Sequence, residues 1–231
     1  MKLLILADHH ANIDALMAVE KDAGEVDAVF CAGDYVDYGT DPHETIAWMK
    51  DRSVRCVIGN HDTYLLEKGE RLPGTWVYDN LMRMTPGDLE FLRSLPESIS
   101  FSADGFDYVM HHQMTEKTYN IPKSVVLFDA CWDKWFESLE SGSQRRMILG
   151  HTHRRCIHQL DNKRLWLNPG SISYRRPEDD TDKRAHYMII EDGVIRFRSA
   201  AFDRSRILQR IKEFSGMESE RLKMLSFFSE A

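Results

Sequence analysis

KLLILADHHAN, Lys2 to Asn12, is an apolar run that stops at an aspartate, two histidines and an asparagine. Lys2–Ala7 has the length of a buried strand, and Asn12 can cap a helix running through Ala15, Leu16 and Val19 to Gly24. The same pattern recurs twice downstream. Ala28–Ala32 and Val54–Ile58 are short apolar runs followed by polar, glycine-containing loops, and Asp41 before Pro42 marks a second helix start. The order is β-α-β-α-β with parallel strands. Such units gather ligands at the carboxyl ends of their strands.

Outward from this unit, Thr63–Leu95 reads as helices broken by Pro73, Gly74 and Pro86, with Thr85 as a helix start. Ser98–Ser102, an Asp104-Gly105 turn and Phe106–Met110 form a hairpin signature. A helical stretch around Phe128–Leu139 follows, then strands at Met147–Leu149, Arg164–Leu167, Tyr187–Ile190 and Val194–Arg198. Arg175–Arg184 is a charged loop, and Asp203–Phe214 and Glu218–Phe228 read as C-terminal helices. No repeat or low-complexity linker divides the 231 residues, so residues 1–231 are expected to form a single domain with C-terminal helices at about 203–229.

A composition of 42% hydrophobic and 29% charged residues supports a buried core and excludes a disordered chain. The formal charge of -7 repels a long polyanion, so no long nucleic acid is expected as a partner, although a local site can still take a small anion. The four cysteines, Cys31, Cys56, Cys131 and Cys156, are widely spaced and form no CxxC pair, which fits a reducing, cytoplasmic setting. With Trp132, Trp135 and the methionines they are assigned to the core. Met1–Ala7 lacks a basic region, a cleavage pattern and a long apolar stretch, so neither a signal peptide nor a membrane span is expected.

The chemistry lies at the strand ends. Asp8 and His10 follow the first strand, Asp34 the second, Asn60 and His61 the third, His111 the hairpin, and His151 and His153 a later strand. An aspartate after a strand is often a helix cap, and an isolated histidine is more often ordinary core or surface. The recurrence at successive strand ends is not a packing requirement. Oxygen and imidazole donors of this kind suit divalent metals, and one aspartate between two clusters can bridge two ions.

Asp8-His9-His10-Ala11-Asn12, Gly33-Asp34, Gly59-Asn60-His61-Asp62, Met110-His111, Gly150-His151-Thr152-His153 and Asn168-Pro169-Gly170-Ser171 resemble, in order, the motifs of the calcineurin-like metallophosphoesterase superfamily. The resemblance spans about Met1–Ile190 and looks closest to the small bacterial and archaeal phosphodiesterases. It implies an α/β fold, a four-layer α-β-β-α sandwich of two mixed sheets. It also implies that Asp8, His10, Asp34 and His153 hold one metal and Asp34, Asn60, His111 and His151 the other, with Asp34 bridging. Mn, Fe, Zn or Ni would serve, with Mn favoured.

Two departures stand out. The protein phosphatases and symmetrical dinucleoside tetraphosphatases carry Asp-Arg-Gly where this chain has Asp37-Tyr38-Gly39, and the protein phosphatases have Glu in place of Asp62. His112 follows the implied ligand His111 where the small phosphodiesterases usually have glycine.

Two divalent ions, Asp8, Asp34 and a bridging hydroxide together leave roughly one positive charge facing the substrate. Ions about 3.5–4 Å apart would generate that hydroxide at neutral pH. His61 is then the expected proton donor to the leaving group, with Asp62 either orienting its imidazole or capping the helix before Thr63. His9, Tyr38, His112, Tyr174, Arg175 and Arg176 are candidate substrate contacts, and Asn168–Ser171 is either a turn packing the metal loops or a binding element. The expected reaction is hydrolysis of a small phosphodiester or phosphomonoester. A dinucleoside polyphosphate hydrolase is the alternative enzyme, and a non-catalytic protein-binding scaffold the alternative from another class. A scaffold has no need of His61 and the full ligand set.

Overall fold

β1 (Lys2–Leu6) is buried on both faces, and its side chains alternate between two cores. Leu3 and Ile5 pack with Phe30, Met188 and Tyr108 between two sheets, whereas Leu4 and Leu6 pack with Ala15, Leu16 and Val19 beneath helices. The computed structural model describes residues 1–113, 132, 134–137, 144–176 and 181–229.

The first sheet has the order β10-β9-β1-β2-β3, where β2 is Ala28–Cys31, β3 Arg55–Cys56, β9 Ala185–Glu191 and β10 Val194–Ala200. β1, β2 and β3 are parallel, as read from the sequence, while β9 and β10 join antiparallel. The second sheet has the order β4-β5-β6-β8-β7, with β4 at Ser98–Ala103, β5 at Phe106–His111, β6 at Gln144–Ile148, β7 at Cys156–Gln159 and β8 at Arg164–Asn168. β5, β6 and β8 run parallel between two antiparallel edge strands, so both sheets are mixed.

Helices α1 (Ile13–Ala23), α2 (Pro42–Asp51), α3 (Asn60–Lys68), α4 (Trp76–Arg83) and α5 (Pro86–Ser94) supply the cluster outside the first sheet. Beyond the second sheet, Val109, Met147 and Trp166 pack with Trp132 and Phe136. The sequence is therefore helix, sheet, sheet, helix in four layers.

Asn12 caps α1 by accepting from the Ala15 amide at 3.1 Å, and Thr85 caps α5 in a reciprocal box with Asp88. Asp104 and Gly105 take positive φ of 51° and 81°, the two-residue hairpin turn that the sequence announced. Asp41 stands at the head of α2 without capping it. Its carboxylate faces Arg206 and Arg210 instead, at 3.4 and 3.3 Å. Those arginines lie on α6 (Ser205–Glu213), which with α7 (Glu218–Phe228) buries Ile207, Ile211, Met224 and Phe227 against Trp76 and Tyr174.

β7 was not anticipated, and β3 is shorter than Val54–Ile58. Most of the expected helix at 128–139 and part of the loop at 175–184 fall outside the described residues.

Candidate active site

Every expected site loop begins where a strand ends, and the backbone there is strained. Asp8, His10, Asp34, His151 and His153 all have left-handed φ, between 46° and 65°. A non-glycine residue held there costs on the order of 1–3 kcal/mol, and such outliers persist where the surroundings over-determine them. Close approach is the reason for one glycine: a Cβ at Gly59 would lie 2.1 Å from Asp34 Oδ1.

These loops bring together two groups of side chains, Asp8, His10 and His153 in one and Asp34, His112 and His151 in the other. His10 Nε2 and His153 Nε2 are 3.2 Å apart, and Asp8 Oδ1 is 3.5 Å from His153 Nε2. In the second group, Asn60 Oδ1 lies 2.9 Å from His112 Nε2 and 2.7 Å from His151 Nδ1. Asp34 Oδ2 stands between the groups, 3.1 Å from His112 Nε2 and 3.9 Å from His10 Nε2.

The donor atoms fit cations. His10 Nδ1 donates to Val36 O at 3.1 Å and His153 Nδ1 to Tyr174 O at 2.9 Å. Burial holds both imidazoles well below their usual basicity, His153 at about 3. Each facing Nε2 therefore carries a lone pair, and two lone pairs cannot bond each other at 3.2 Å. A cation satisfies both.

Asp8 Oδ1 accepts from the His151 amide at 3.0 Å, but Asp8 Oδ2 is buried with no hydrogen-bond partner. Burial, with Asp34 adding to it, pushes that carboxyl up to about 8 against the pull of His112. Asp34 goes the other way: burial opposes its charge, yet His112 and His61 keep it ionised. His112 Nδ1 donates to Ala32 O at 2.6 Å, so its Nε2 faces two oxygens. Burial opposes the charged ring there, but Asp34 raises it to about 9, marking a place that calls for positive charge. A divalent ion meets that demand as a proton does.

His112 thus occupies the place expected of His111. β5 explains the exchange, because successive strand residues point to opposite faces. Tyr108 and Met110 face the space between the sheets, and His112 continues on that side at the strand end. His111 shares the side of Val109 and stacks on Trp135 with ring centres 3.9 Å apart. Trp135 is partly buried, packing on the Trp132 and Phe136 cluster while it lines the cleft.

His61 opens onto a cleft of about 950 Å³ whose wall includes Asp37, Tyr38, Asn60, His112 and His151. Its Nδ1 donates to Asp37 Oδ2 at 2.7 Å, and its backbone N–H to Asp34 Oδ1 at 2.9 Å. Burial works against protonation of the ring, but Asp34 and Asp37 outweigh it and raise the pKa to about 9. Asp37 is the carboxylate that orients His61, and of the two readings of Asp62 the structure meets the helix cap.

Asp62 is fully buried and accepts backbone N–H groups from Asp34, Tyr35, Val36 and Gly59, at 2.8–3.3 Å. It shapes the loop that carries Asp34. Neither of its oxygens reaches the imidazole, because the clamp occupies them.

Two expected substrate contacts are buried elsewhere. His9 is fully buried, with Nε2 3.4 Å from Cys31 Sγ, and burial depresses it to about 3. Arg175 is spent on the backbone of its own loop, donating to Ser171 O at 3.0 Å and to the carbonyls of Asp182 and Arg184. Arg176 is exposed; burial depresses His151 to about 4, with His112 and, least, Arg176 adding to it. Tyr38 lines the cleft with its ring centre 5.1 Å from His61 and 5.8 Å from His10. Tyr174 is buried against His10 and His153. Asn168 ties Gly150 O and Thr152 Oγ1, and Ser171 Oγ donates to Asp8 O, so this turn packs the histidine and Asp8 loops.

A family model, the calcineurin-like phosphoesterase superfamily domain, matches residues 1–191. The uncharacterized protein MJ0912 of Methanocaldococcus jannaschii is 26% identical over 212 residues, 82% of each chain. A metallophosphoesterase from Sphaerobacter thermophilus superposes with a TM-score of 0.73 at 23% identity, covering 98% of both chains. The hypothetical protein PH1004 from Pyrococcus horikoshii OT3 gives 0.77 at 17% identity, covering 100% of this chain and 99% of the other.

Proposed function

The chain belongs to the calcineurin-like phosphoesterase superfamily, a metal-dependent family, and on that premise we propose that it uses two divalent ions to hydrolyse a small phosphodiester or phosphomonoester. One observation carries this reading: Asp34 Oδ2 lies within 4 Å of a histidine nitrogen from each donor group. Asp8, His10, His153 and Asp34 would hold one ion, and Asp34, Asn60, His112 and His151 the other. Bound ions would acidify water and neutralise phosphoryl oxygens. Oxygen and imidazole donors without a thiolate suit Mn, Fe, Zn or Ni, with Mn favoured.

The chain's own groups complete the chemistry. His61 keeps Nδ1–H on Asp37, which leaves Nε2 to protonate a departing alkoxide. The Asp37 carboxylate behind Nδ1 favours the protonated ring. Asp62 holds the loop so that Asp34 and the His61 amide stay in register. Tyr38 lines the cleft where a phosphoryl group or its substituent would lie.

The cleft has room for a nucleoside-sized leaving group, which favours a dinucleoside polyphosphate as the second substrate class. Glu67, Glu97 and Glu220 on its wall favour the substrate with fewer charges. Residence in the cytosol belongs to the same proposal, supported by the free thiols of Cys31, Cys56 and Cys156. Among the described residues no helix is long and apolar enough to cross a membrane. The proposed unit is one domain, since α6 and α7 share a core with Trp76 and Tyr174.

The test is a screen of Mn-reconstituted protein against aryl phosphodiesters and monoesters, cyclic nucleotides and dinucleoside polyphosphates. Turnover of a mono- or diester that chelation abolishes is expected. Exclusive cleavage of polyphosphates would select the alternative, and no metal-dependent turnover at all would return the protein to a scaffold role.

A further inference from the structure

The substrate that the site is read to take is an anion, yet the cleft wall carries Glu67, Glu97 and Glu220 against Lys68. A cation at the rim would offset those carboxylates for an approaching phosphoryl group. α7, which lies beyond the residues matched by the family model, carries one. Lys223 is exposed, its ammonium lies 4.1 Å from the centre of the Tyr38 ring, and it donates to the Tyr38 hydroxyl. The centre of that ring lies 5.1 Å from the His61 ring and 5.8 Å from the His10 ring.

The arginines of α6 and α7 are each paired with a carboxylate. Arg206 pairs with Asp14 at 2.9 Å, Arg210 with Asp41 at 3.3 Å, and Arg221 with Glu218. Lys223 makes no ion pair with any described carboxylate. Glu220, one turn earlier, turns toward the Trp76 amide at 3.4 Å. Lys68, across the cleft, sits over Tyr64.

α7 is also fixed at this position. Phe227 stacks on Tyr174 at 4.0 Å, Trp76 Nε1 donates to Glu220 O at 3.1 Å, and Lys183 Nζ donates to Phe227 O at 3.0 Å. A charge on a fixed helix, with no described carboxylate paired to it, stays available to an incoming anion.

We propose that Lys223 is a substrate-binding residue whose ammonium contacts a non-bridging oxygen of the substrate's phosphoryl group from the rim formed by Tyr38 and α7. The inference rests on the phosphoesterase reading for its substrate class, while its test does not depend on turnover.

The experiment compares wild type, Lys223→Met and Lys223→Arg, all metal-loaded and matched in metal content and melting temperature. Calorimetric titration with inorganic phosphate gives Kd, and steady-state kinetics on an aryl phosphodiester give KM and kcat. Lys223→Met keeps the apolar stem on Tyr38 and loses the charge, so Kd and KM should both rise by about tenfold, the usual worth of an exposed charge-assisted contact. Its kcat should stay within about twofold, Lys223→Arg should recover most of the affinity, and added salt should weaken the wild type more than Lys223→Met.

Phosphate affinity unchanged in Lys223→Met, or a loss confined to kcat, would overturn the contact. Should the wild type bind phosphate through Lys223 but turn over no ester, the contact stands and the phosphoesterase reading falls.

Discussion

His61 and Asp62 adjoin in the chain and do different work. His61 reaches the cleft with Asp37 behind it, whereas Asp62 is buried under four backbone amides. His61→Ala should therefore keep both metals and lose roughly 10²–10⁴ in kcat/KM on esters of poor leaving groups. A nitrophenolate departs without a proton, so the loss on a nitrophenyl ester should be much smaller. Equal losses on both would remove the acid role. Asp62→Ala should act on the loop instead, leaving several buried N–H groups unpaired at about 1–3 kcal/mol each. Its melting temperature and metal content should fall together, with no dependence on leaving group; a variant as stable as wild type that lost activity alone would contradict the clamp.

At the scale of elements, β5 decides which of two adjacent histidines faces the site. The inner-face series Tyr108, Met110 and His112 predicts that His112→Ala empties one metal position, while His111→Ala leaves metal content unchanged and disturbs the Trp135 stack. Metal analysis after dialysis checks this, and the reverse pattern would restore His111 as the ligand.

The period of two was readable in the chain, but the motif resemblance placed the ligand one residue early. Elsewhere the long, doubly buried strands and their caps were legible because both faces demand apolar residues, as in β1. β7, with the burial of Cys156–Gln159 alternating between partial and exposed, gave no apolar run to find. The ligand loops could be located but not oriented, since left-handed turns at Asp8, Asp34 and His151 arise from contacts distant in sequence. The Asp37–His61 pair is of that kind. So are the burials of His9 and Arg175, whose charges and rings looked available for substrate.

For the whole molecule, buried neutral histidines set the acid limit. His186 is buried beside Asp182, with Nε2 donating to Asp182 Oδ2 at 3.0 Å, and burial together with Arg175 depresses it to about 4. An unfolded histidine titrates near 6.5. Between pH 6.5 and about 4 the unfolded chain therefore takes a proton at this position that the folded chain refuses, and stability falls as pH falls. The stability is fully present above 6.5, and the slope vanishes below the folded value. Melting the metal-free protein in chelator across this window should show the decline, and His186→Gln should flatten it by about one proton. An unchanged slope in that variant would show that His186 is not a source of the dependence.

The central claim is that one aspartate oxygen serves two ions. Anomalous diffraction from Mn-soaked crystals tests it most directly. Two Mn peaks are predicted, both in contact with Asp34, one also held by Asp8, His10 and His153 and the other by Asn60, His112 and His151. A single peak, or two peaks of which only one touches Asp34, would contradict it.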